Sequence, residues 1–196
     1  MKPIVILYHA DCSDGLGAAW AAWKYFGNLA SYLSLPNGVP PPQGLKDKEI
    51  YMVDYCFAKD ITKKLIRDNK RVTAIDHHIS NKLAVALTYM PLYRLHNSGA
   101  ALTWQYFHPK KALPMYLKYV QDTDLWKLKM PHAKEFVATR QFHPNNIKNV
   151  DKFVSEFEKA PFRKKFLNDG KFILKYQKEV LYEILRNAEK IRFHGA

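Results

Sequence analysis

His9, Asp11, Cys12 and Asp14 crowd into one stretch, "YHADCSDGLGAAW" (Tyr8–Trp20), directly after an apolar run. Asp54 closes the apolar part of "YMVDYC", and Asp76, His77 and His78 close that of "TAIDHHIS". Carboxylates gathered this closely repel one another and resist ionisation unless positive charge sits among them. Divalent cations supply that charge. A mixed Asp and His ligand set suits Mn²⁺, Zn²⁺ or Fe²⁺, whereas an all-oxygen shell favours Mg²⁺ or Ca²⁺. Two cations about 3.5–4 Å apart that share a carboxylate support in-line displacement at phosphorus. A remaining His can then hold a phosphate oxygen or protonate a leaving group. Taken singly, each residue has a plainer role, since an Asp after a strand usually caps the next helix. Their convergence is what points to chemistry.

Convergence needs a scaffold. "PIVILY" is a continuous apolar run of strand length, suited to a strand covered on both faces. "GLGAAWAAWKYF" reads as a helix whose small residues allow close packing. "LASYLSL", "EIYMVDY" and "RVTAIDH" read as further strands, with a Pro- and Gly-rich loop before the third and the amphipathic helix "KDITKKLIRDNK" before the fourth. This alternation predicts an α/β fold with a parallel, Rossmann-like sheet flanked by helices. Ligands bind such sheets at the carboxyl ends of the strands, which is where all three stretches fall. After Asn97 the chain reads as helical. We divide it into an α/β core over 1–126 and a helical extension over 127–196 packed on that core. The extension ends in a long, connector-like helix from Pro161 to about Lys190. Phe166, Ile173, Tyr176, Val180, Leu181, Ile184 and Leu185 approximate one face of that helix, and Gly170 is a point where it could kink.

The 196 residues are 47% hydrophobic and 14% aromatic, enough for a sizeable core. No run approaches the ~18 apolar residues of a membrane helix, and the N-terminal run enters His and Asp instead of a cleavage site. We expect a cytoplasmic protein with no membrane partner. Cys12 and Cys56 make no disulfide framework; each follows a strand-like run, which places both beside the expected chemistry. A net charge of +13 favours polyanionic partners such as nucleotides or nucleic acid. Oligomeric state is not legible.

"IDHHIS" resembles the signature of the DHH phosphoesterase superfamily, which includes RecJ-like exonucleases, oligoribonucleases, cyclic-dinucleotide phosphodiesterases and manganese pyrophosphatases. "YHADCSDGLGAAW" resembles its first motif, "YMVDYC" its second and "YVQDTDLW" (Tyr119–Trp126) its fourth. The resemblance implies two divalent cations, Mn²⁺ foremost. His9 with an acidic neighbour would hold one, Asp14, His77 and Asp122 the other, and Asp54 would bridge them, with Asp124 as an exchange for Asp122. Asp76 would orient His77 from behind, and His78 would face the substrate phosphate. "HNSGAALTW" resembles the segment leading into a helix at the site, where the N–H groups of Ser98, Gly99 and Ala100 would cradle phosphate.

Two departures stand out. The first motif usually reads Asp-x-Asp-Gly; here Cys12 stands two residues before Asp14 and the Asp is displaced to position 11. Either Asp11 or Cys12 would complete the first cation set, Cys12 as a thiolate suited to a softer metal. Relatives also carry a further small domain with a Gly-Gly-His-type motif, and the terminal "HGA" is too short to match it. The expected function is hydrolysis of phosphodiester bonds in short oligonucleotides or linear dinucleotides. The alternatives are a phosphomonoesterase or pyrophosphatase acting on a small ester, or a nucleotide- or nucleic-acid-binding module without catalysis.

Overall fold

A computed structural model describes residues 1–143 and 146–188. Its sheet runs through β1 (Ile4–His9), β2 (Ala30–Leu35), β3 (Glu49–Val53), β4 (Arg71–Asp76) and a two-residue β5 (Leu92–Tyr93). The spatial order is β2-β1-β3-β4-β5 and every pairing is parallel. The α/β reading therefore holds, with β5 added: two residues are too few to leave a periodicity in sequence.

Strand alternation sorts the apolar residues to two faces. Ile6, Tyr51, Val53 and Ile75 enter the larger core, under α1 (Ser13–Phe26), α4 (Gly99–Phe107), α5 (Met115–Asp124), α6 (Ala133–Arg140), α7 (Ile147–Phe157) and the start of α8 (Ala160–Arg186). Val5, Leu7, Ile50, Met52 and Ala74 enter the smaller core, under α2 (Lys59–Asp68) and the one-turn α3 (Lys82–Val85). Burial on both faces is what makes these strands apolar throughout. The larger core is continuous from Ile6 through Trp20 to Phe166, so the helical half shares one interior with the sheet.

Small residues bring α1 against α4. A Cβ at Gly17 would lie 2.9 Å from the Ala100 methyl and 3.1 Å from a Leu117 methyl, so only Gly permits that approach. Gly170 does not break α8; it lies against the α6 backbone at Glu135, where a side chain would collide. The long helix meets the expectation only in its first half. Phe166, Leu167 and Gly170 are its buried residues, while Tyr176, Leu181, Ile184 and Leu185 are each more than half exposed. Beyond Gly170 α6 no longer runs alongside, so the distal apolar face has no neighbour among the described residues. The end of the expected helix and the terminal "HGA" lie in 189–196, outside the described residues. No helix among the described residues is long and apolar enough to cross a membrane.

Candidate metal centre

Sheet order reverses between β1 and β3: the chain leaves β1 to form β2 on one side and returns to form β3 on the other. This switch point opens a crevice at the carboxyl ends of the strands. His9 ends β1, Asp54 follows β3 and Asp76 ends β4, so register alone sets them side by side. The Asp54 N–H donates to the Ile75 carbonyl at 2.9 Å, holding the residue at the sheet edge. Its φ of 52° lies in the left-handed region, which Asp tolerates better than most residues.

Four side chains meet in a buried space. His77 Nε2 lies 3.3 Å from Asp54 Oδ1, 3.6 Å from Asp14 Oδ2 and 3.6 Å from Asp124 Oδ2. His9 Nδ1 approaches Asp54 Oδ2 from the other side at 3.8 Å. Both Asp54 oxygens, His77 Nε2 and Asp124 Oδ2 are buried and lack any hydrogen-bond partner. Buried polar atoms are almost always satisfied, so four orphans facing one another indicate a missing positive partner. Potential ligand atoms fall into three sets, each within 4.8 Å: His9, Cys12 and Asp54; Asp54, Asp76, His77 and His78; and Asp14, His77 and Asp124. Asp54 stands in two of them and His77 in two. The donor chemistry fits divalent cations.

The electrostatics carry the same mark. Burial, then the negative charge of Asp14, pushes the Asp54 carboxyl well above the usual carboxylate range. The same two causes push Asp124 up to about 7. Burial holds the His9 and His77 imidazoles below their ordinary value, so both favour the neutral form that ligates metal. His78 is shifted the other way. Its Nδ1 is 2.7 Å from Asp76 Oδ1, and that bond raises its pKa. Burial alone would raise Asp76, but hydrogen bonds from His78 and Asn81 outweigh it and hold the carboxyl low.

Several expected roles change. Asp122 does not join the cluster: its carboxylate accepts the N–H groups of Lys129 and Met130 at 3.0 and 2.9 Å, and its carbonyl accepts those of Lys127 and Leu128. Asp124, at the end of α5, takes the place in the cluster. Asp76 braces the ring of His78, whereas the expectation set it behind His77; of His77 it accepts only the backbone N–H, at 2.7 Å. Asp11 has a φ of 52°, is exposed and belongs to none of the three sets, while the turn it makes brings Cys12 inward beside His9. Cys56 lies in the smaller core with its sulfur 3.8 Å from Thr62 Oγ1, away from the cluster.

The phosphate cradle is also overturned. Gly99 and Ala100 donate their N–H groups to Asp14 Oδ2 and Oδ1 at 2.6 and 3.0 Å, and Ser98 donates its own to Gln121 Oε1 at 3.2 Å. The Ser98 hydroxyl caps the helix by accepting from Ala101. The α4 N-terminus is thus occupied by a carboxylate of this chain, which it favours for the same reasons it would favour phosphate. Asn37, Asn81 and Gln121 were not expected. Asn37 Nδ2 lies 3.1 Å from His9 Nε2, and Asn81 donates to Asp76 Oδ2 at 2.7 Å. Asn81 lies in the same short segment as the triplet it supports; Asn37 sits in a Pro- and Gly-rich loop that offers no such hint.

No protein-family model matches the chain. It is similar to a protein of Acanthamoeba polyphaga mimivirus named "Uncharacterized protein R106", at 25% identity over 95% of this chain and 48% of the relative. The chain thus spans about half the length of that relative. Its fold is similar to that in a crystal structure of an uncharacterized protein from Helicobacter pylori G27, with a TM-score of 0.59 and 13% identity over 89% of this chain and 62% of that one. At that identity the likeness speaks for the fold alone.

Proposed function

We propose that the chain is a cation-dependent phosphoesterase of the DHH type that cleaves phosphodiester bonds in short oligonucleotides or linear dinucleotides. The observation that carries this reading is the set of buried, unpartnered ligand atoms on Asp54, His77 and Asp124. The order of the motifs along the chain and the net charge of +13 agree with it. Two divalent cations, Mn²⁺ foremost, would be held by His9, Cys12 and Asp54 on one side and by Asp14, His77 and Asp124 on the other, with Asp54 common to both. Bound there, they would polarise a phosphoryl oxygen and lower the pKa of a water molecule.

The remaining work falls to the chain. Asp14 is clamped by the α4 N-terminus, so its carboxylate keeps one orientation. His78 is half-buried, keeps its proton through Asp76 and stands at the cluster's edge. It would donate that proton to a phosphate oxygen or to the leaving oxygen. Both cysteines are free thiols, which suits a cytoplasmic setting.

The test is release of mononucleotide from a 5′-phosphorylated dinucleotide with added Mn²⁺, comparing the wild type with Asp54→Ala. Release by the wild type alone is expected. Equal release by both proteins, or none by the wild type, would reject the reading.

A further inference from the structure

Beside the cluster lies a cavity of about 550 Å³ that none of the motifs accounts for. Cys12, Asp14 and Asp124 contribute to its lining, so it opens directly onto the ligand atoms. The rest comes from the helical half. Trp126 and Leu128 line it from the loop after α5, Val137 from α6 and Leu174 from α8. Gln141 and Gln177 bring amides to the same space. The volume lies in the range that encloses a small organic ligand, and a bare phosphate needs no apolar wall.

The loop that forms one wall is built under constraint. Trp126 and Leu128 have φ of 53° and 49°, a conformation that side-chain-bearing residues rarely adopt. Asp122 holds them there, through its carbonyl to Lys127 and Leu128 and its carboxylate to Lys129 and Met130. The result displays the Trp126 indole at 83% exposure, on the turn that follows Asp124. So exposed an aromatic adds little to this chain's own core, and strained backbone held this firmly is a mark of functional positioning.

We propose that this cavity is a nucleobase subsite. The base of a nucleotide whose phosphate lies at the cluster enters it and stacks on Trp126, with its polar edge offered to Gln141 and Gln177. The proposal rests on the phosphoesterase reading and narrows its substrates to nucleotidyl esters, excluding pyrophosphate and simple alkyl phosphates. Stacking tolerates every base, so little sequence preference is expected.

The Mn²⁺-loaded chain would be titrated calorimetrically with AMP and with ribose 5-phosphate, which share sugar and phosphate and differ in the base. AMP is expected to bind about tenfold more tightly or better. Trp126→Ala, and Leu174→Trp filling the cavity from α8, should each bring AMP toward the ribose 5-phosphate value. Equal affinities in the wild type would overturn the subsite, as would an AMP preference that survives both substitutions. Failure of the parent reading looks different: AMP preference persists while no phosphoester is cleaved.

Discussion

Asp122 and Asp124 sit on the same turn of α5 and have opposite duties. Asp124 offers an unpartnered oxygen to the cluster, and Asp122 spends both of its oxygens on backbone N–H groups. Asp124→Ala should therefore lower turnover at least about 100-fold with little loss of stability. Asp122→Ala should cost roughly 1–3 kcal/mol in denaturant unfolding by leaving two N–H groups unpaired. The reverse pattern would exchange their roles. The raised pKa of Asp124, about 7 against an ordinary 3.8, carries a sign that can be checked. The folded chain binds this proton more tightly than the unfolded one. Its contribution to stability is complete below about pH 4 and is lost as pH rises through about 7. Without cations, the thermal midpoint of Asp124→Asn should gain on that of the wild type between pH 4 and pH 8. A constant difference across that range would contradict the burial of an uncompensated carboxyl.

Among the elements, α1 and α4 decide whether the cluster forms. Gly99 lies against Asp54, where a Cβ would collide with the Asp54 side chain, and its N–H holds Asp14. Gly99→Ala should push α4 outward, misplace both carboxylates and weaken Mn²⁺ binding at least about tenfold. Wild-type Mn²⁺ affinity in that variant would show that the α4 N-terminus is dispensable. How much of this is legible in sequence follows from distance along the chain. Asp54, Asp76, His77 and His78 are legible because an apolar run followed by an acid or imidazole places its own side chain at a strand end. The pairing of Asp14 with Gly99 and Ala100 is not, because it joins segments remote in sequence. The same holds for Asp122 against Asp124: two acids near a helix end look alike until the following loop selects one. The amphipathic pattern of α8 is legible as a helix, yet the pattern alone does not say that burial stops at Gly170.

At the scale of the molecule, a five-stranded parallel sheet sets its switch point between β1 and β3, and the helical half shares its core. That shared core places α5, α6 and α8 beside the strand ends, so one crevice receives ligands from the sheet and walls from the helices. A positive field over the chain draws polyanions toward it, and salt should weaken their binding. The central claim is that the buried ligand atoms await cations. The most direct measurement is a calorimetric titration of the wild type and of Asp54→Ala with Mn²⁺. About two cations per wild-type chain are expected, with the binding lost or severely weakened in the variant. No saturable binding by the wild type, or the same stoichiometry and affinity in both proteins, would contradict the claim.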